Sequence, residues 1–208
     1  MTATLRVYLA GSIKKGNEDK RSSFWSDEDI KDLQKATAPA ELVVLNPGDR
    51  QDDLSDVKAT FGRDLLQVFT ADVILVDARE RRGVGVGAEM LFAKSNRIPV
   101  IAVAPRNSHY HRTNVTLMGQ FVSEWVHPFI SELSDIVVES IHDAGRAAIS
   151  FNRNQSPRGP ECLRDAMMHY LNSQAYREPE MVSLLTQHHG LPERALEIAR
   201  AAKLAQPG

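Results

Sequence analysis

Hydrophobic residues fall in short runs, each closed by turn residues and followed by a longer stretch with helical spacing. Leu5–Ala10 (LRVYLA) ends in Gly11-Ser12, and Glu41–Leu45 (ELVVL) ends in Asn46-Pro47-Gly48. Ala71–Val76 (ADVILV) ends in a charged loop and then glycines, and Ile98–Ala104 (IPVIAVA) ends in Pro105. Such β-branched runs with polar closures read as strands buried on both faces. Ser22–Ala36, Val57–Thr70 and Gly87–Asn96 read as the helices between them. Strands alternating with helices imply right-handed βαβ units. The expected fold is α/β: a doubly wound, mostly parallel five-stranded sheet flanked by helices, Rossmann-like, with a C-terminal helical extension.

Beyond Pro105 the pattern loosens. Asn107–Asn114 (NSHYHRTN) is polar, and Val115–Leu133 carries Phe121, Trp125 and Phe129 at i, i+4, i+8, the spacing of one helical face. Asp135–Val138 and Ala147–Phe151 fit late strands or helix pieces. Asn152–Pro160 (NRNQSPRGP) reads as a linker. Helices are expected after it at about Glu161–Tyr176, Pro179–His188 and Pro192–Ala205. Two domains follow, residues 1–150 and 151–208.

Composition narrows the function classes. The 208 residues are 42% hydrophobic and 25% charged, which excludes a mostly disordered chain. A net charge of −2 argues against a broad grip on a nucleic acid polymer or an anionic membrane. The single cysteine, Cys162, excludes an internal disulfide framework and suits a reducing, cytoplasmic setting. No apolar run approaches a membrane span. His109, His111, His188 and His189 lack acidic or cysteine partners at ligand spacing, so no metal is expected. Trp25 and Trp125 sit in amphipathic stretches and read as core or subunit-interface residues, Trp25 less clearly because it follows the first loop.

In an open parallel sheet, ligands bind beyond the carboxyl ends of the strands, which selects the loops 11–17, 46–53 and 78–87. The third holds Gly83-Val84-Gly85-Val86-Gly87-Ala88-Glu89. Glycines let the backbone bend and approach a ligand closely. A carboxylate in the first turn of the following helix would be kept ionised by the helix N-terminus, as a nucleophile requires. The same run also fits an ordinary strand–helix turn. It is neither a dinucleotide fingerprint, which would follow the first strand, nor a P-loop.

Three motifs in register change the weight of this reading. Tyr8-x-x-Gly11-Ser12-Ile13, the pair Asp64 and Asp72, and Gly85-Val86-Gly87-x-Glu89 lie within VYLAGSIKKGNEDKRSSFW and GRDLLQVFTADVILVDARERRGVGVGAEMLFAKSNRIPVIAVAP. Together, over about residues 5–105, they resemble the nucleoside 2-deoxyribosyltransferase superfamily. The likeness is greatest to its 2'-deoxynucleoside 5'-monophosphate N-glycosidase and cytidylate N-glycosidase branch.

The resemblance implies that Glu89 attacks the anomeric carbon, that Asp64 contacts the sugar, and that Tyr8 lies against the 2' carbon and favours deoxyribose. Gly11, Ser12, Ile13 and Lys14 would frame base and phosphate, and Gly83, Gly85 and Gly87 would border the ligand. Asp64 also fits a simple pair with Arg63, Tyr8 a core residue, and Asp72 a turn residue. Relatives carry a serine before G-V-G, where this chain has Arg82-Gly83; either Arg82, with Arg79 and Arg81, binds the phosphate instead, or the phosphate site is absent. A partner subunit completes each site in the family, which points to Ser108, Thr113 or Asn114 and to a homodimer or higher homo-oligomer.

The expected activity is cofactor-free hydrolysis of the base–sugar bond of a nucleoside 5'-monophosphate. Base exchange between nucleosides, as in the transferases, and nucleotide sensing without turnover are the alternatives.

Overall fold

A computed structural model describes residues 3–13, 25–187 and 192–202, with residues 152–154 described by backbone only. The chain divides into two compact units, Met1–Gly159 and Pro160–Gly208. In the first, β1 (Thr4–Ala10), β2 (Glu41–Leu45), β3 (Val73–Asp77), β4 (Val100–Val103) and β7 (Ile136–Val138) form one sheet in the order β2-β1-β3-β4-β7. Every neighbouring pair is parallel. Helices α1 (Asp27–Thr37), α2 (Val57–Thr70), α3 (Val84–Ser95), α4 (Pro128–Leu133) and α5 (Ile141–Asn154) flank it.

The two-residue period of a strand sorts the core into two layers. Leu5, Val7 and Leu9 of β1 join Val73, Leu75, Ile101 and Val103 under α1 and α5. Tyr8 and Ala10 join Ile74, Val76, Val100 and Ala102 on the opposite face, against Val68 of α2 and Val86, Met90 and Ala93 of α3. Ser26 and Asp29 form a capping box that starts α1. Lys94, buried on α3, pairs with Asp135, whose carboxylate also accepts the amides of Val100 and Arg158 at 2.7 Å each. That cluster pins the fifth strand to its neighbour.

Gly145 sets how closely α5 approaches α1, because a Cβ there would stand 2.6 Å from Ala36 Cβ and 3.2 Å from Leu33 Cδ1. Gly145→Ala is therefore expected to destabilise the fold by about 1–2 kcal/mol, since the clash outweighs the gain in helix propensity. Urea unfolding checks this, and a stabilised variant would contradict the close contact.

The stretch after Pro105 departs from the helical expectation. His111–Leu117 (β5) and Gln120–Val126 (β6) form a separate antiparallel hairpin, and only Pro128–Leu133 is helical. A step of four residues is even, so Phe121 and Trp125 share a strand face as readily as a helix face. The discriminating signal is the turn: Met118 and Gly119 have φ of 47° and 83°, the two left-handed residues of a tight hairpin. With methionine in the place usually taken by Asn or Asp, the turn is poorly marked. Residues 111–114, expected in a loop, begin β5.

Asp135–Val138 resolves as a strand, whereas Ala147–Phe151 lies inside α5, which continues into the stretch read as linker. In the second unit, α6 (Glu161–Ser173) leads through a 3-10 turn (Ala175–Arg177) to α7 (Pro179–Thr186) and α8 (Glu193–Ala201). Leu171, Ala175 and Ala199 are buried there. Among the described residues no helix is long and apolar enough to cross a membrane.

Candidate active site

The sheet order places a topological switch point at β1/β3, because the connection from β1 leads outward to β2 while that from β3 leads to β4 on the other side. Tyr8 lies near the carboxyl end of β1, opposite Ile74 of β3. Its even position turns the ring toward α2 and α3. There its hydroxyl donates to Glu89 Oε1 at 2.9 Å. Glu89 shares its helix stripe with Val86 and Ala93, three and four residues away, both buried against the sheet.

α3 begins at Val84 after Gly83, so Glu89 stands in the second turn rather than the first. The helix N-terminus accordingly does not govern its charge. Burial raises its pKa to about 7, the hydrogen bond from Tyr8 opposes that rise, and the nearby charge of Asp64 adds to it. This replaces the expectation of a carboxylate held ionised by the helix. Tyr8 is driven far above the usual phenol range, first by burial and then by Glu89, so it stays protonated and acts as donor. Glu89 Oε2 is buried without a hydrogen-bond partner among the described residues. A buried carboxylate oxygen without a hydrogen-bond partner is a candidate reacting group.

This burial has a consequence for stability. A carboxyl whose pKa rises from 4.5 to about 7 on folding favours the folded state fully below about pH 4.5. That contribution is lost as pH climbs through 7. Glu89→Gln does not titrate, so its stability relative to wild type should rise by about 3 kcal/mol between pH 4.5 and 8. Urea unfolding of both proteins across that range checks it, and a pH-independent difference would contradict the buried carboxyl.

Asp64, on α2, is tied to Arg63 at 3.2 Å and to Arg50 at 3.5 Å. Arg50 also grips Asp52 at 2.8 and 2.7 Å, which holds that carboxyl down at about 2. Arg63 donates to the carbonyl of Asp49 at 2.6 Å. The pairing with Arg63 foreseen as the plainer reading of Asp64 is thus present, while its charge still reaches Glu89. Asp72 accepts the Arg6 amide at 2.7 Å and pairs with its guanidinium at 2.6 Å, just ahead of β3.

Ser12 and Ile13 line a cleft of about 180 Å³ with Leu9, Trp25, Asn46 and Gly48. Neither Tyr8 nor Glu89 lines it; Leu9 and Trp25 belong to the core layer under α1 and α5, and Tyr8 to the other. Gly11 permits the close approach of Trp25, whose Nε1 would lie 3.0 Å from a Cβ there. Trp25 also donates to the Ala10 carbonyl at 3.2 Å. Gly83, Gly85 and Gly87 face open space, with nothing within 4 Å of a Cβ at any of them. Lys14, with His188 and His189, lies outside the described residues.

The arginines before Gly83 are placed differently from one another. Arg82 is nearly enclosed, pairs with Asp77 at 2.6 Å and donates to Ser12 Oγ at 3.0 Å. Arg79 bridges Asp77 and Asp29, at 2.9 Å to each, and stacks over Trp25 at 5.6 Å. Arg81 is exposed. Asp77, which holds two of the three, was not singled out from the sequence, although it ends a central strand where the strand-end rule looks for site residues. Asn114 is exposed on β5 with φ of 49°. Among the described residues no group of three or more His, Cys, Asp or Glu could hold a metal ion.

No model of a known protein family matches the chain, and no curated protein matches it.

Proposed function

We propose that the protein is an N-glycosidase that hydrolyses the base–sugar bond of 2'-deoxynucleoside 5'-monophosphates, with Glu89 as nucleophile. The observation that carries this reading is the Tyr8–Glu89 pair at 2.9 Å, with Glu89 Oε2 left without a partner among the described residues. Oε2 attacks C1' as the C1'–N bond breaks and its electron pair leaves on the base nitrogen. A glycosyl ester results. Water then attacks C1', restores the Glu89 carboxylate and leaves a hydroxyl on the sugar and a hydrogen on the base, the double displacement of retaining glycosidases. Asp64 supports positive charge as it develops on the sugar. The 5'-phosphate is assigned to the positive end of α3, over the open backbone of Gly83, Gly85 and Gly87 beside Arg81.

Incubation with a panel of nucleosides and nucleotides, following free base by chromatography, tests the activity. Release without an added base is expected. Release only with an acceptor base would favour the transferase, and saturable binding without release would favour a sensor.

The resemblance and the surface together support a homodimer. Val57, Phe61, Leu66 and Phe69 of α2 and Val84 and Leu91 of α3 are exposed, an apolar area of the kind that marks association. Light scattering should give twice the chain mass of 23.1 kDa, and Phe61→Glu should shift it to the monomer. An active monomer would remove the shared site.

A further inference from the structure

Arg82 looks from the sequence like a phosphate ligand, yet its side chain is only 3% exposed. Its Nε donates to the Asp77 carbonyl, its Nη2 pairs with Asp77 Oδ2 at 2.6 Å, and its Nη1 donates to Ser12 Oγ at 3.0 Å. Asp77 is itself fully buried at the end of β3. The three-pronged contact uses the planar fork of arginine, which a lysine cannot reproduce. Ser12 is the member of this chain that reaches the cleft.

We propose that Asp77 and Arg82 are positioning residues that orient Ser12 so that its hydroxyl donates into the cleft and selects a ligand group that accepts a hydrogen bond, an oxyanion or a carbonyl oxygen. The inference rests on the nucleotide-binding reading of the cleft. Arg82 occupies a lone pair of Ser12 Oγ, and among the described residues the hydroxyl hydrogen has no acceptor. An oxygen that accepts from a cation becomes a stronger donor in turn. Arg79 extends the same anchor to Trp25, because it joins Asp77 to Asp29 and lies over the indole, which also lines the cleft.

The test uses Arg82→Lys, which retains a cation for Asp77 but loses the fork, together with Ser12→Ala and the double variant. Binding of a deoxynucleoside 5'-monophosphate and of its nucleoside is read from Trp25 emission in a Trp125→Phe background, and kcat and KM are measured alongside. Each single variant should weaken nucleotide binding about tenfold, raise KM to match and change kcat less than twofold. The double variant should be no worse than either single one, since both remove the same hydrogen bond. Equal losses for nucleotide and nucleoside identify a base carbonyl as the acceptor; a loss confined to the nucleotide identifies the phosphate and moves it from the start of α3 to Ser12. Both outcomes support the positioning role. Multiplying losses, or an Arg82→Lys variant that binds like wild type while Ser12→Ala does not, would overturn it.

A ligand-free measurement separates this inference from the activity. Amide exchange at residues 11–13 should accelerate in Arg82→Lys and not in Glu89→Gln. If wild type bound no nucleotide, the assigned activity would fall while exchange still decided the positioning role. Unchanged exchange in Arg82→Lys would overturn that role.

Discussion

Glu89→Gln is expected to keep the fold and lose base release by on the order of 10³-fold or more. The amide is nearly isosteric and still meets the Tyr8 hydroxyl, which lies 2.9 Å from Oε1 in the native protein. It cannot form the glycosyl ester, so the loss should fall on kcat more than on KM. In wild type the carboxyl, raised to about 7 by burial, must be deprotonated to attack. The rate should therefore rise with pH through about 7 and level off above it. A Glu89→Gln variant working near the wild-type rate would remove the nucleophile from the account.

Tyr8→Phe should narrow the preference for deoxy over ribo substrates by about one to two decades in kcat/KM, mainly by improving the ribonucleotide reaction. The phenol is buried on β1 and committed to Glu89, so a 2'-hydroxyl arriving there must displace it or lie without a good partner. The same change removes the hydrogen bond that lowers the Glu89 pKa, so the acidic limb of the pH–rate curve should move upward. If wild type prefers the ribonucleotide, or if the variant leaves the ratio unchanged, Tyr8 is not the selector.

The parallel sheet was legible because its strands are buried on both faces, so each is a short apolar run with a polar end. The bounds of α2, residues 57–70, matched the structure because Asp56 caps it at one end and the next strand begins just beyond the other. The helix carrying Glu89 starts three residues earlier than expected. Alternating Gly and Val looked like an extended turn, but the glycines lie in open space and the valines follow the helix, with Val86 turned inward. That shift moved Glu89 from the helix end to a buried place and reversed the expected direction of its pKa.

The hairpin was hidden because its aromatic spacing suits both periods and its turn carries Met118. The meeting of Tyr8 with Glu89, 81 residues apart, follows from strand parity together with the sheet order, and only the first of these is written locally. The commitment of Arg82 to Asp77 depends on a buried carboxylate five residues away, which sequence spacing alone does not distinguish from a solvated neighbour.

The most direct test of Glu89 as nucleophile is intact-mass analysis after incubation with a slowly turned-over 2'-deoxyribonucleotide analogue. A mass gain of one deoxyribose phosphate is expected, mapped to the peptide containing Glu89, decaying as the sugar is released and absent in Glu89→Gln. Base release with no adduct in wild type, or an adduct on another residue, would contradict it.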